Sequence, residues 1–197
     1  MSVRAIIEVP DPLLKTISEP VAEVRDDTRA LMDDMLETMY DANGIGLAAI
    51  QIGVAQRIIV MDISQSYRED EAADEGFEDD EMAAEAKRLR DLLKDERPRF
   101  FVNPEIIWTA DETRSYQEGC LSVPGIYDDV ARPAQCKVKF LDYEGQPQAI
   151  DCDGLLATCI QHEMDHLNGI VFLDHLSRLK RQMALKKLKK AAQGASV

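Results

Sequence analysis

Gln161-His162-Glu163-Met164-Asp165-His166 holds two of the only three histidines in the chain. His162 and His166 are four apart, so on a helix, at about 100° per residue, they project from one face within ~40° of each other. Two imidazoles held that way can bind one metal ion, and Glu163 between them can reach a water on that metal. The hexapeptide therefore predicts a helix, two ligands and a general base. Asp153 upstream is a good N-cap and Asn168-Gly169 downstream a good stop. Leu155, Leu156, Cys159 and Ile160 give the segment an apolar side. The histidine pair is expected on a buried helix.

The flanking chain predicts an α+β fold: antiparallel sheets packed around this central metal-binding H-E-x-x-H helix, plus a C-terminal helix. Asp11-Pro12 opens a short helical turn, with Pro12 suited to the first helical position. Residues 27–41 form an amphipathic helix in which Ala30, Leu31, Met35, Leu36 and Met39 share a stripe, halted at Asn43-Gly44. Apolar, β-branched runs follow at 57–62, 99–109, 136–143 and 148–152. Turn residues such as Glu144-Gly145-Gln146-Pro147 separate them, a spacing of antiparallel sheet rather than of alternating βαβ units. Past the histidines, Ile170-Val171-Phe172 reads as a short strand and 178–190 as a terminal helix.

A chain of 197 residues with 45% hydrophobic content can bury a sizeable core. One catalytic domain is expected over 1–175, followed by a basic helix and tail over 176–197. No run approaches the ~20 apolar residues of a membrane span. The opening Met-Ser-Val-Arg-Ala-Ile-Ile-Glu lacks the apolar core of a signal peptide. Four cysteines without paired spacing fit reduced thiols, and a cytoplasmic location is expected.

The net charge of −14 argues against DNA binding by the body of the protein. That charge is unevenly spread. Residues 68–97 carry thirteen acids and six bases, whereas from Leu176 onward there are seven bases and no acid. Such a tail suits docking on a polyanion. The competing reading is a solvated helix with Leu176, Leu179, Met183 and Leu188 packed inward. Residues 64–97 look like an insertion between two strands. They are polar at first, then helical on a surface, with Met82, Ala86, Leu89 and Leu93 at 4-3-4 spacing.

H-E-x-x-H also occurs in zinc peptidases. Their common extension H-E-x-x-H-x-x-G-x-x-H fails here, because residue 172 is Phe. His175 lies past the stop at Gly169 and is a poor third ligand. Cys120, in Glu118-Gly119-Cys120-Leu121-Ser122, is the better one: Gly119 permits a tight backbone that puts the thiol at a strand end. A thiolate favours iron or zinc and leaves a fourth position for water. Cys136, Cys152 and Cys159 read as small buried hydrophobes. Asp165 reads as a support behind the ligands, and Glu118 as the partner of a base such as Arg132.

Gly44-Ile45-Gly46-Leu47-Ala48-Ala49-Ile50-Gln51 has glycines two apart and then small residues, a backbone that something must approach closely. It is not a phosphate loop, since the Lys-Ser/Thr ending is absent. Gln51 can offer an amide donor to a developing negative charge.

Together these segments resemble the peptide deformylase family, which carries G-Φ-G-Φ-A-A-x-Q, E-G-C-Φ-S and Q-H-E-x-D-H in this order. All three stand intact, and the resemblance spans nearly the whole chain except the insertion. It implies removal of the formyl group from N-formylmethionine of new polypeptides, releasing formate. Fe(II) is the usual metal in the family, with zinc or nickel as replacements. Residue by residue, the resemblance implies that Cys120, His162 and His166 hold the metal and that Glu163 takes the water's proton and passes it to the departing amine. The Gln51 side chain and the Leu121 N–H would meet the oxyanion. The backbone around Ile45 and Gly46 would pair with the extended peptide, and Ile45, Tyr116, Leu155, Thr158 and Cys159 would line a methionine pocket.

One departure concerns Gly125-Ile126-Tyr127-Asp128-Asp129, where many relatives have an arginine near Tyr127. A further expectation is that the basic tail docks on ribosomal RNA near emerging chains. Among enzymes, the runner-up is a zinc peptidase, which Cys120 and the Gly-rich segment disfavour. A non-catalytic metalloprotein is the alternative from another class. It would be expected to lose Glu163, Gln51 or a ligand, and none is lost.

Overall fold

Strand β2 (Ile58–Met61) is buried along its whole length because both of its faces are covered. Successive strand side chains point to opposite faces. Ile58 and Val60 pack with Met32, Met35 and Met39 of helix α1 (Asp26–Asp41). Ile59 and Met61 pack with Ala157, Ile160 and Met164 of helix α2 (Gly154–Leu167) on the other side. The computed structural model describes residues 2–64 and 98–194, the side chains of 192–194 excepted.

Beside β2 lie β1 (Gly46–Ala48), β3 (Arg99–Thr109), β6 (Gln135–Leu141) and β7 (Pro147–Asp153). They form one antiparallel sheet in the order β1-β2-β3-β6-β7, so β1 stands at an edge. A separate antiparallel hairpin joins β4 (Thr113–Cys120) to β5 (Val123–Pro133). Its inner side, Val123, Ile126 and Val130, packs with Phe172, Leu173 and Ala184, the last from helix α3 (Arg178–Gly194). The mixed helix and antiparallel-sheet architecture is the one expected from the sequence.

Several details differ. Ile170-Val171-Phe172 is not a strand; Phe172–His175 forms a 3-10 turn. The Asp174 carboxylate accepts from the Val171 N–H at 2.9 Å, which folds the chain back on itself and leaves no strand to pair with. On α1, Ala30 is exposed and Met32 is fully buried, so the stripe is rotated by part of a turn from the expected one. On α3, Leu179 and Met183 face solvent (68% and 64% exposed), while Ala184 and Leu188 pack inward with Leu176. A shift of one residue turns the apolar face by about 100°, toward the hairpin. The hairpin itself was not among the runs read as strands, because Thr113–Gln117 are exposed and mostly polar. The surface helix expected around Met82 to Leu93 lies outside the described residues.

Candidate active site

Helix α2 is framed at both ends by local chemistry. The Asp153 carboxylate accepts from the Gly154 N–H at 2.6 Å, satisfying one of the free donors of the first turn. After the last turn, Gly169 adopts φ 70°, and a Cβ there would stand 2.5 Å from the Lys15 carbonyl oxygen, so only glycine fits. Between these ends His162, Glu163 and His166 are all buried.

Cys120 ends β4, and its Sγ lies 3.2 Å from His166 Nε2. The ligand atoms of Cys120, His162 and His166 lie within 4.8 Å of one another. The structure thus brings these three together and leaves His175 outside the cluster. One thiol and two imidazoles at that spacing suit a divalent transition metal, with room for a fourth ligand.

Behind the cluster sits a buried ionic network. The His162 Nδ1–H donates to Glu118 Oε2 at 2.8 Å, which directs Nε2 toward Cys120. Arg132 donates to Glu118 through Nε and Nη2, and through Nη1 to Asp165 at 2.8 Å. His175 Nε2 reaches the same Asp165 oxygen at 2.7 Å. Burial alone works to raise the Glu118 carboxyl, but the bonds from His162 and Arg132 outweigh it and hold the group below its ordinary value.

Glu163 has no such support. Burial pushes its carboxyl up to about 7, partly opposed by His162. A Cβ on Gly46 would stand 2.6 Å from Glu163 Oε1 and 2.9 Å from Cys159 Sγ, so the edge strand approaches the carboxylate at the distance only glycine permits. Gln51 is buried in a 3-10 turn (Ala49–Ile52). Its Oε1 accepts from the Ala48 N–H at 2.8 Å. Nε2 is thereby turned toward Ser122 Oγ at 3.1 Å and Cys120 Sγ at 3.6 Å.

These groups open onto a cleft of about 560 Å³ between β1, the β4–β5 hairpin and α2. Ile45, Tyr116, Leu155, Thr158 and Cys159 all line it. So do Gly46, Gln51, Leu121 and Glu163, whereas His166 lies behind the surface.

Three contributors were missed in the sequence. Glu118 bonds His162 as well as Arg132, and its place two residues before Cys120 on a strand was the available signal. Ser122 holds the Gln51 amide, and Tyr127 rests against Gly119. Neither contact leaves a trace in local sequence, since the partners come from different elements.

A Cys-His-His cluster beside an elevated carboxylate in an open cleft defines a hydrolytic site of the metal-dependent class. The family model "Polypeptide deformylase" matches residues 3–182. The chain is 56% identical over 197 residues to the peptide deformylase of Erythrobacter litoralis, covering 99% of this chain and 100% of that one. It is 53% identical over 195 residues to that of Phenylobacterium zucineum, with the same coverage. The crystal structure of peptide deformylase from Ehrlichia chaffeensis superposes with a TM-score of 0.82 at 40% identity, covering 100% of both chains. The chain belongs to the polypeptide deformylase family, and it is accordingly an enzyme of the hydrolase class. No helix among the described residues is long and apolar enough to cross a membrane.

Proposed function

We propose that this chain hydrolyses the N-formyl group of N-formylmethionine at the start of newly made polypeptides in the cytoplasm, releasing formate. The observation that carries the reading is the convergence of Cys120, His162 and His166 beside Glu163, directly under the Gly46 backbone. The three ligands would hold one Fe(II), for which zinc or nickel can substitute. When bound, such an ion supplies Lewis acidity and acidifies a water at the open position.

The remaining work falls to this chain's own groups. Glu163, poised near neutrality, takes a proton from the water that attacks the formyl carbon and delivers it to the departing amine. The Gln51 Nε2–H and the Leu121 N–H are offered to the oxygen that gains charge. The free edge of β1, around Ile45 and Gly46, pairs with the extended peptide. Ile45, Tyr116, Leu155, Thr158 and Cys159 receive the methionine side chain. Glu118 holds the orientation of His162 throughout. The exposed basic face of α3 docks on ribosomal RNA.

The decisive assay measures formate released from a formyl-Met peptide by Fe(II)-loaded protein. Glu163→Ala is expected to lower kcat by about 10²–10⁴ while the metal content stays at one per chain. Turnover surviving in that variant removes Glu163 from the role of base. Parallel assay with the unformylated peptide separates deformylation from peptide-bond cleavage.

A further inference from the structure

The outer wall of the cleft differs from its floor. Floor residues Leu155, Thr158 and Cys159 are largely enclosed on α2, whereas Tyr116 and Tyr127 on the hairpin remain 45% and 67% exposed. Tyr127 is held in place from both sides. A Cβ on Gly119 would stand 2.7 Å from Tyr127 Cδ1, so the ring rests on bare backbone one residue before Cys120. Its neighbour Ile126 is buried in the cluster shared with α3. Lys180 of α3 pairs with Asp128 at 2.6 Å, and Lys187 donates to the Gly125 carbonyl at 3.0 Å. The platform is preorganised, which spares a ligand the cost of ordering it.

Charge points the same way. Among the described residues, no lysine or arginine lines the cleft; its charged lining groups are Glu118 and Glu163, and Asp128 and Asp129 follow Tyr127 directly. An extended peptide advances about 3.3 Å per residue. With its formylated end at Glu163, the residues that follow leave the enclosed floor and reach the hairpin wall.

We propose that Tyr127, seated on Gly119, is a specificity-determining residue: its open ring takes the side chain of a residue following the formylated one and favours aromatic over acidic side chains. This inference rests on the deformylase reading above. Aromatic pairing contributes about two- to tenfold in such a contact, and an acidic side chain meets an uncompensated negative field.

The test is a set of formyl-Met peptides carrying Phe, Gly or Asp at the second position, and a parallel set varied at the third. For the wild-type enzyme, kcat/KM is expected to rank Phe above Gly and Gly above Asp at one of these positions, with Phe about two- to tenfold over Gly. Tyr127→Ala is expected to bring the Phe-to-Gly ratio close to one, and Tyr127→Phe to retain it. Equal ratios in wild type and Tyr127→Ala, or no Phe preference in the wild type at either position, overturn the proposal. Failure of the wild type to release formate from any of the peptides refutes the deformylase reading instead.

Discussion

At the scale of single residues, Gly46 decides how closely substrate backbone and base can approach. A side chain there would meet Glu163 Oε1 at 2.6 Å, and the atom at its other side is Cys159 Sγ. Neither neighbour can retreat far, since Glu163 is packed on α2 and Cys159 lies one turn before it. Gly46→Ala is therefore expected to cut kcat/KM by about 10²-fold, because misplacing a reacting group by roughly 1 Å costs that much. Steady-state kinetics beside a thermal melt checks it, and an unchanged rate means the carboxylate is free to move aside. The glycine was legible in the sequence as a place of close approach. What approaches it was only half legible: a peptide was expected there, but the catalytic carboxylate and a thiol from α2 were not.

At the scale of elements, α2 repeats its sequence pattern closely. Its cap, stop and apolar side are all local features, and local chemistry is what a sequence encodes most directly. Asp153 is exposed and acts through one bond to the Gly154 N–H. Asp153→Ala is expected to lower unfolding free energy by about 0.5–2 kcal/mol, measured by urea denaturation with an unchanged slope. A shift below a few tenths of a kcal/mol would mean that Gly154 and the packing of the helix suffice. The β4–β5 hairpin was much harder to read. Thr113–Gln117 show solvent a mostly polar surface, so no alternation marks the strand, yet the element carries Glu118 and Cys120. Its stability comes from β5 and from α3, both distant in sequence.

The whole molecule sets acidic body against basic tail. α3 serves two surfaces: Ala184 and Leu188 pack against the hairpin, and Lys186, Lys189 and Lys190 remain exposed. The two readings of the tail are thus compatible, a packed helix with a charged outer face. Deleting α3 would strip cover from Val123 and Ile126 as well as remove charge, so charge removal alone is the cleaner test. The combined variant Lys186→Gln, Lys189→Gln, Lys190→Gln is expected to bind ribosomes more weakly and with a shallower salt dependence, since each lost phosphate contact lowers the slope by up to roughly one. Turnover of short formyl peptides is expected to continue. Unaltered ribosome binding and salt slope reject docking through this face.

The sequence by itself determined the chemistry of the centre: two imidazoles one helical turn apart, a carboxylate between them, and a thiol and an amide in short motifs of their own. Helical period and capping act over a few residues, so those inferences needed no fold. Tertiary structure alone decided how the pieces are aimed. Glu118 turns His162 toward Cys120, Ser122 helps hold the Gln51 amide, burial lifts Glu163 toward neutrality, and α3 props the wall that carries Tyr127. Each of these effects depends on groups brought together from separate elements. Desolvation and hydrogen-bond direction arise only when the sheet, hairpin and helices close around one another.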